Sequence, residues 1–375
     1  MSILCVGMGW YPHAAGGLNR YVYELTHHLA AVQNQVELYA VGVPETSPNA
    51  AVNLINLAEP TSPMWHRLWS VRTNFSRSST AKPDAINLHF ALYSLPLLSN
   101  LSDDVPVTFT FHGPWALESA QEGVHKLNVG MRHWIERRVY SRCDRFIVLS
   151  QAFGTILHQH YRIPWNKIHV IPGGVDTHRF RPNLAPRQAR EYLNWPDDRP
   201  ILFAPRRLVQ RMGLDKLLSA LAQVKSKIPD VWLAIAGKGY LRSALEQQVM
   251  ELGLENHVCF LGFLPDEQLP IAYQAADLTV IPSQSLEGFG LVVVESLACG
   301  TPVLCTPVGG MPEILAHFSP QLIADAATVE AIALRLEAVL NGTIPLPSRT
   351  DCSDYAAKNF NWFNITQQVQ HVLLA

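Results

Sequence analysis

Short apolar runs alternate with amphipathic segments along nearly the whole chain, and the alternation stops once and starts again. "SILCVGM" (2–8) is a strand, and "LNRYVYELTHHLAA" follows it with apolar residues at helical spacing. "VELYAVG" (36–42), "AINLH" (85–89), "VTFTFH" (107–112) and "RFIVLS" (145–150) are further strands with helical patterns between them. The pattern breaks at "HVIPGGVDTHRFRPN" (169–183), where Gly, Pro and polar residues cluster, and a hinge between domains belongs there, near Pro172 to Val175. It resumes with strands "ILFAPR" (201–206), "VWLAIAG" (231–237), "HVCFLGF" (257–263), "LTVIPS" (278–283) and "TPVLCT" (301–306). Helices "GLDKLLSALAQVKSK" and "LRSALEQQVMELG" lie among them, and "WFNITQQVQHVLL" is a last helix. Strand-helix-strand alternation of this kind makes parallel, doubly wound sheets. Two of them facing each other across a cleft is the predicted α/β architecture. Ligands of such sheets bind beyond the carboxyl ends of the strands.

The length supports two domains, since 375 residues exceed one ordinary core. Hydrophobic residues make up 48% and charged residues 16%, which excludes a disordered chain. A net charge of -2 argues against nucleic acid as the main partner. The six cysteines include no Cys-x-x-Cys pair and read as reduced, buried thiols of a cytoplasmic protein. "MSILCVGMGW" has no basic leader and no cleavage site, and every apolar stretch is interrupted before the ~18 residues a span needs.

Three loops are placed to meet an anion. Gly16 and Gly17 lie between the first strand and first helix, where a backbone can approach a phosphate at a helix N-terminus. A Gly-Gly there is as often a plain turn. Arg206, Arg207 and Arg211 follow the first strand of the second half, and guanidinium forks bind phosphate bidentately. A solvated basic loop is the bland alternative. The third loop is "EGFGLVVVESLACGTPVL" (287–304), in which Glu287 and Glu295 bracket an apolar run. Gly300 and Pro302 stop a helix that begins after Gly290, with Gly288 and Phe289 as its entry loop. The amides of Leu291 and Val292 are then free to meet a diphosphate, and the two carboxylates can accept from sugar hydroxyls on either side. That arrangement suits a sugar nucleotide. Taken singly, Glu295 also fits a helix carboxylate paired with a base, and Glu287 an exposed loop residue near a helix start.

These blocks resemble the retaining glycosyltransferases of family 4, which have the GT-B fold. "EGFGLVVVESLACGTPVLCTPVGGMPEIL" is similar to their Glu-x7-Glu signature. "HVIPGGVDTHRF", "RRLVQRMGLDKLLSAL", "LAIAGKGYLRSAL" and "VCFLGFLPDEQLPIAYQAADLTVIPS" resemble the family's other blocks in order, and "AAGGLNRYVYEL" its N-terminal loop. The likeness covers nearly the whole chain and is loosest between residues 44 and 105. It implies an acceptor-side Rossmann-like domain over 1–171, a nucleotide-sugar domain over 172–355, and a C-terminal helix within 356–375 returning to the first domain. By the same resemblance Glu295 holds the ribose, and Glu287 with the amides of Phe289 and Gly290 holds the donor hexose. The amides of Leu291 and Val292, with Arg207 and a second base, hold the diphosphate, which Gly16 and Gly17 approach. His112 of "TFHGPWALES" corresponds to the family's histidine near the reacting sugar. The family's usual lysine before the Gly of "RLVxxKG" is replaced by Met212, so Arg211 is expected to take its role.

The implied activity is transfer of a hexosyl group from a UDP-, GDP- or ADP-hexose to a hydroxyl of a glycan, a lipid-linked sugar or a small sugar, with retention. The chain has no Asp-x-Asp, so no divalent metal and no other cofactor is expected. A glycoside phosphorylase and a non-catalytic sugar-nucleotide-binding subunit stay open, and an epimerase is disfavoured. Lys238 of "GKG" is placed to approach a donor, although a plain Gly-x-Gly turn between strand and helix fits better. His27 with His28, and His158 with His160, have metal-site spacings but lack third and fourth partners. Residues 64–82 carry Trp65, Trp69, Arg67, Arg72 and Arg77. They suit acceptor recognition, membrane-surface contact or an ordinary solvated helix. Lys plus Arg number 13 against 11 Asp plus Glu over residues 1–172, too small an excess to choose the inner face of a membrane over the cytoplasm.

Overall fold

The computed structural model describes residues 1–14, 16–44, 51–78 and 82–375. Ala15 of the first glycine loop and residues 79–81 of the basic aromatic stretch lie outside them. The chain divides into two units, Met1–Gly174 with Trp362–Ala375, and Val175–Asn361. The crossings fall between 174 and 175 and between 361 and 362, a few residues beyond the expected 171/172 and 355/356. The sequence stretch that signals the hinge in fact opens with an edge strand.

Among its described residues the first unit holds seven parallel strands: β1 (Ser2–Gly9), β2 (Gln35–Val41), β3 (Val52–Asn56), β4 (Ala85–Leu88), β5 (Val107–Phe111), β6 (Arg145–Val148) and β7 (Ile168–Val170), in the order β3-β2-β1-β4-β5-β6-β7. The central strands are buried on both faces and read as continuous apolar runs. β3 and β7 escaped the sequence reading. Both are short edge strands, and only one residue of each is buried, so neither shows a full apolar run. Helix α1 (Gly17–Ala31) buries Tyr21, Val22, Leu25 and Leu29, one stripe of a 3.6-residue period. The other sheet face is covered by α2 (Met64–Ser78), a 3-10 segment (Leu95–Asn100) and α3 (Lys126–Tyr140). Val71, Phe75, Leu97, Ile135 and Val139 from these join Leu4, Val6, Leu88 and Phe109 of the sheet in one core.

The second unit holds β8 (Ile201–Pro205), β9 (Trp232–Ala236), β10 (Val258–Gly262), β11 (Leu278–Ile281) and β12 (Val303–Cys305), all parallel, in the order β10-β9-β8-β11-β12. Helix α4 (Leu291–Ala298) bridges β11 and β12, and its residues 293–298 are buried. The last helix, α5 (Trp362–Leu374), belongs to the first unit, where it packs on α1. Trp362 is buried, stacked on His28 and edge-on to Tyr21. All six cysteines are free, and five are buried.

In each sheet the strand order reverses direction at one place, between β1 and β4 and between β8 and β11. Loops leaving the carboxyl ends of those strands diverge there and open a crevice.

Candidate functional site

In the second unit the reversal point gathers nearly every residue the sequence singles out. β8 runs directly into Arg206, whose guanidinium crosses to the loop after β11 and donates to the carboxylate of Glu287 and to Ser283. Ser283 donates to the same carboxylate oxygen at 3.1 Å. Burial pushes the Glu287 carboxyl up. The charge and hydrogen bond of Arg206, the charge of Arg211 and the Ser283 hydroxyl more than offset this and hold it below the usual carboxylate range. Arg206 is 7% exposed and Arg211 8%, so both guanidinium groups are largely out of water. Arg211 donates to the Leu286 carbonyl at 3.1 Å, and Gln284 donates back to the Arg211 carbonyl at 2.8 Å. Arg211 therefore braces the loop that carries Glu287. Arg207 is exposed.

The backbone of Glu287 is held by a glycine pair from the loop after β12. Gly310 donates to the Glu287 carbonyl at 3.0 Å, and a Cβ at Gly309, whose φ is 61°, would fall on that same oxygen. Only glycine tolerates both the left-handed backbone and the approach. Gly290 opens α4 at φ 96° with no side-chain cap, so the first amides of the helix meet no capping oxygen of their own residue. Leu291 and Val292 are the half-buried first residues of that helix, Gly288 is half-buried, and Phe289 is buried with its ring 5.7 Å from Phe360. Glu295 lies in α4, 5% exposed, and accepts from the Tyr273 hydroxyl at 3.0 Å.

In the first unit Gly16 sits at the N-cap of α1 with φ 153°, and Gly17 is the first helical residue. The loop is pinned by Asn19, 1% exposed, which accepts from the Gly9 amide at 3.1 Å and donates to the Ala14 carbonyl at 2.9 Å. His112 follows β5 and is half-buried. Its Nε2 lies 3.1 Å from Nδ1 of His89, the residue after β4. Burial lowers His112 to about 3. Burial and the neighbouring His112 take His89 well below the usual histidine range. Both rings are therefore neutral at ordinary pH, and one hydrogen bond couples their tautomers. Tyr21 packs edge-on against His112 with ring centroids 4.9 Å apart.

The structure thus brings Arg206, Arg211, Glu287, the 288–292 loop and Glu295 around one reversal point, and Gly16, Gly17 and His112 around the other. Sequence reasoning missed three residues and read a fourth only in part. Arg206 was noted only as one of three loop arginines. His89 ends a strand as His112 does, and that shared pattern could have found it. Asn19 and Tyr273 act through folding across the chain and left no local signal. His27 and His158 hydrogen-bond to the carbonyls of Tyr23 and Ile163, and no group of three metal-ligating side chains gathers among the described residues. Lys238 is exposed, with its ammonium 5.5 Å from the Phe263 ring. Leu208 donates to its carbonyl, which fits the plain turn.

Residues 15–179 match the model of Glycosyltransferase Family 4, and residues 187–359 match that of Glycosyl transferases group 1. The chain belongs to the family-4 type of glycosyltransferases. Among curated proteins, a GDP-mannose-dependent alpha-(1-6)-phosphatidylinositol monomannoside mannosyltransferase of Mycolicibacterium smegmatis is 35% identical over 175 residues. That match spans 45% of this chain and 46% of the relative, about half its length. A D-inositol 3-phosphate glycosyltransferase of Pseudarthrobacter chlorophenolicus is 27% identical over 372 residues, 93% of this chain and 87% of the relative. Among solved structures, sucrose-phosphate synthase of Thermosynechococcus elongatus superposes with a TM-score of 0.84 at 24% identity over 99% of this chain and 98% of the other. Anabaena HepE in complex with UDP-glucose does so at 0.76 and 21% identity over 100% and 99%. These likenesses show that the family-4-type chain has the GT-B fold, two parallel-sheet Rossmann-like domains. No helix among the described residues is long and apolar enough to cross a membrane.

Proposed function

We propose that this glycosyltransferase moves a hexosyl group from a nucleoside diphosphate sugar to an acceptor hydroxyl with retention of configuration, and needs no divalent metal to do so. The observation that carries the reading is the second unit's crevice. Buried Arg206 and Arg211, an ionised Glu287 and the glycine-opened N-terminus of α4 meet there at one strand-order reversal.

In this reading the first amides of α4, with Arg207 and Arg211, hold the diphosphate. Glu287 and the amides of Phe289 and Gly290 take the hexose hydroxyls, and Glu295 takes the ribose. As the glycosidic bond to phosphate breaks, negative charge grows on the diphosphate, and fixed cations and amide dipoles stabilise charge where it develops. Arg206 keeps Glu287 ionised and oriented, so the carboxylate is ready to accept from the sugar. Gly16, Gly17 and His112 gather at the first unit's own reversal point, where neutral His112 can act as a hydrogen-bonding group, not as a cation. The relatives' names support a nucleotide sugar as donor. The Mycolicibacterium enzyme is GDP-mannose-dependent, and HepE was solved with UDP-glucose.

A thermal-shift panel of UDP-, GDP- and ADP-sugars tests this, run with and without a chelator on wild type and Glu295→Ala. One nucleotide should raise the melting temperature of wild type and fail to do so in the variant. No shift with any of them, or a shift abolished by the chelator, would count against the donor site or its metal independence respectively.

A further inference from the structure

Two helices that cover the same face of the seven-stranded sheet carry a charge and polarity pattern the transferase reading does not use. α3 turns Ile135, Glu136, Val139 and Tyr140 to the core. Its other side exposes Leu127 (77%), Met131 (55%) and Trp134 (59%). Spacings of four and three place these on one stripe. Lys126, Arg137 and Arg138 are exposed beside it. α2 buries only Val71 and Phe75 and exposes Trp65 (74%) and Trp69 (61%) one turn apart, with Arg72 and Arg77 exposed below them. A shallow depression is lined by Trp69, Arg72, Thr73, Ser76 and Arg77. Both helices pack against the Leu95–Asn100 turn.

The charge is strongly segregated. α2 and α3 hold seven of the thirteen Lys and Arg of residues 1–172 (Arg67, Arg72, Arg77, Lys126, Arg132, Arg137, Arg138). They hold one of the eleven acids, Glu136. That acid faces inward, accepting from the Tyr161 hydroxyl at 2.8 Å and the Ala116 amide at 3.3 Å. The rest of that stretch has six basic residues against ten acidic. The small excess in the whole half therefore hides a net +6 on two helices. Arg67 and Arg132 are committed to Tyr93 and to the Trp115 ring, which leaves five exposed cations. Exposed Trp, Met and Leu among Lys and Arg, with no exposed acid on either helix, is the composition of a helix that lies in a lipid headgroup layer.

We propose that the outer faces of α2 and α3 dock this protein on an anionic bilayer. Trp134, Met131 and Leu127 would sit at the level of the headgroups, with the arginines against lipid phosphates. The charge complementarity favours this occupant over a second copy of the chain, which would set like charge on like. Each cation near such a surface is worth roughly fivefold in partitioning.

The test is cosedimentation of the full chain with phosphatidylcholine vesicles and with vesicles of phosphatidylcholine and phosphatidylglycerol, at low and high salt. Binding is expected only with the anionic vesicles, weakened by salt. It should fall more than tenfold in Arg137→Glu/Arg138→Glu, and several-fold in Met131→Ser/Trp134→Ala. Arg187→Glu, an exposed charge of the second unit, should bind as wild type. Circular dichroism melts confirm that the variants fold, as surface changes should. Pelleting without preference for anionic lipid, no pelleting, or unaltered binding by both double variants overturns the proposal. So does a concentration-dependent dimer in sedimentation velocity that the same substitutions abolish, since the face would then belong to a second copy. The assay needs no turnover, so its failure leaves the transferase reading untouched.

Discussion

Arg206 and Glu287 form a pair of charges held mostly away from water, and removing one leaves the other without compensation. Arg206→Ala should destabilise the second unit by about 3 kcal/mol in urea unfolding. Adding Glu287→Gln to it should restore part of that, which a double-mutant cycle reads directly. The pH sense follows from the direction of the shift. The Glu287 carboxyl is depressed in the folded state, so its contribution is full above the unfolded value of about 4.3 and is lost as pH falls through the lower folded value. Glu287→Gln should therefore flatten the acid limb of the second unit's stability below about pH 4.3. The histidine pair acts in a higher window. His112 is lowered to about 3, and an unfolded histidine titrates near 6.5, so the unfolded state binds the extra proton between those values. Stability should be full above about pH 6.5 and decline as pH drops toward 3. His112→Phe should reduce that slope in a pH series of thermal melts. If the slope is unchanged, the ring is not held neutral as described.

At the scale of elements, the loop bearing Glu287 is held by glycine as much as by charge. Gly309→Ala meets both a left-handed φ and the Glu287 carbonyl, whereas Gly342→Ala, at φ 80°, meets nothing within 4 Å. The second should cost roughly 1–2 kcal/mol of backbone strain. The first should cost more and should also weaken nucleotide binding, which separates collision from strain. The sequence made much of this legible. Long apolar alternation located ten of the twelve strands among the described residues and the helix from Leu291. The Gly-Phe-Gly entry was visible because glycine before an apolar helix has few other uses. What stayed hidden depends on distant parts of the chain. Two edge strands lack a full apolar run. The Tyr273–Glu295 and Asn19–Gly9 contacts join residues whose nearness only the folded sheet creates. The exposed stripe of α3 was illegible for a different reason. Leu127, Met131 and Trp134 have the spacing of a core face, and only the burial of the opposite side shows that they look outward.

For the whole molecule, two units with separate cores need not melt together. Calorimetry should resolve two transitions, with a bound nucleotide raising the one that belongs to Val175–Asn361. Trp362→Ala should lower the other by several degrees, since a large buried aromatic is lost from the first unit. A single transition that both perturbations move equally would mean the units unfold as one.

Trp362 also bears on how the protein is made. The ring that covers Tyr21 and stacks on His28 is encoded more than three hundred residues after them. A ribosome therefore releases the seven strands of the first sheet, and then all of the second unit, before α5 can cover the α1 face of that sheet. Until then the nascent first unit shows an apolar flank to the cell, and it is in this interval that a chaperone would find it.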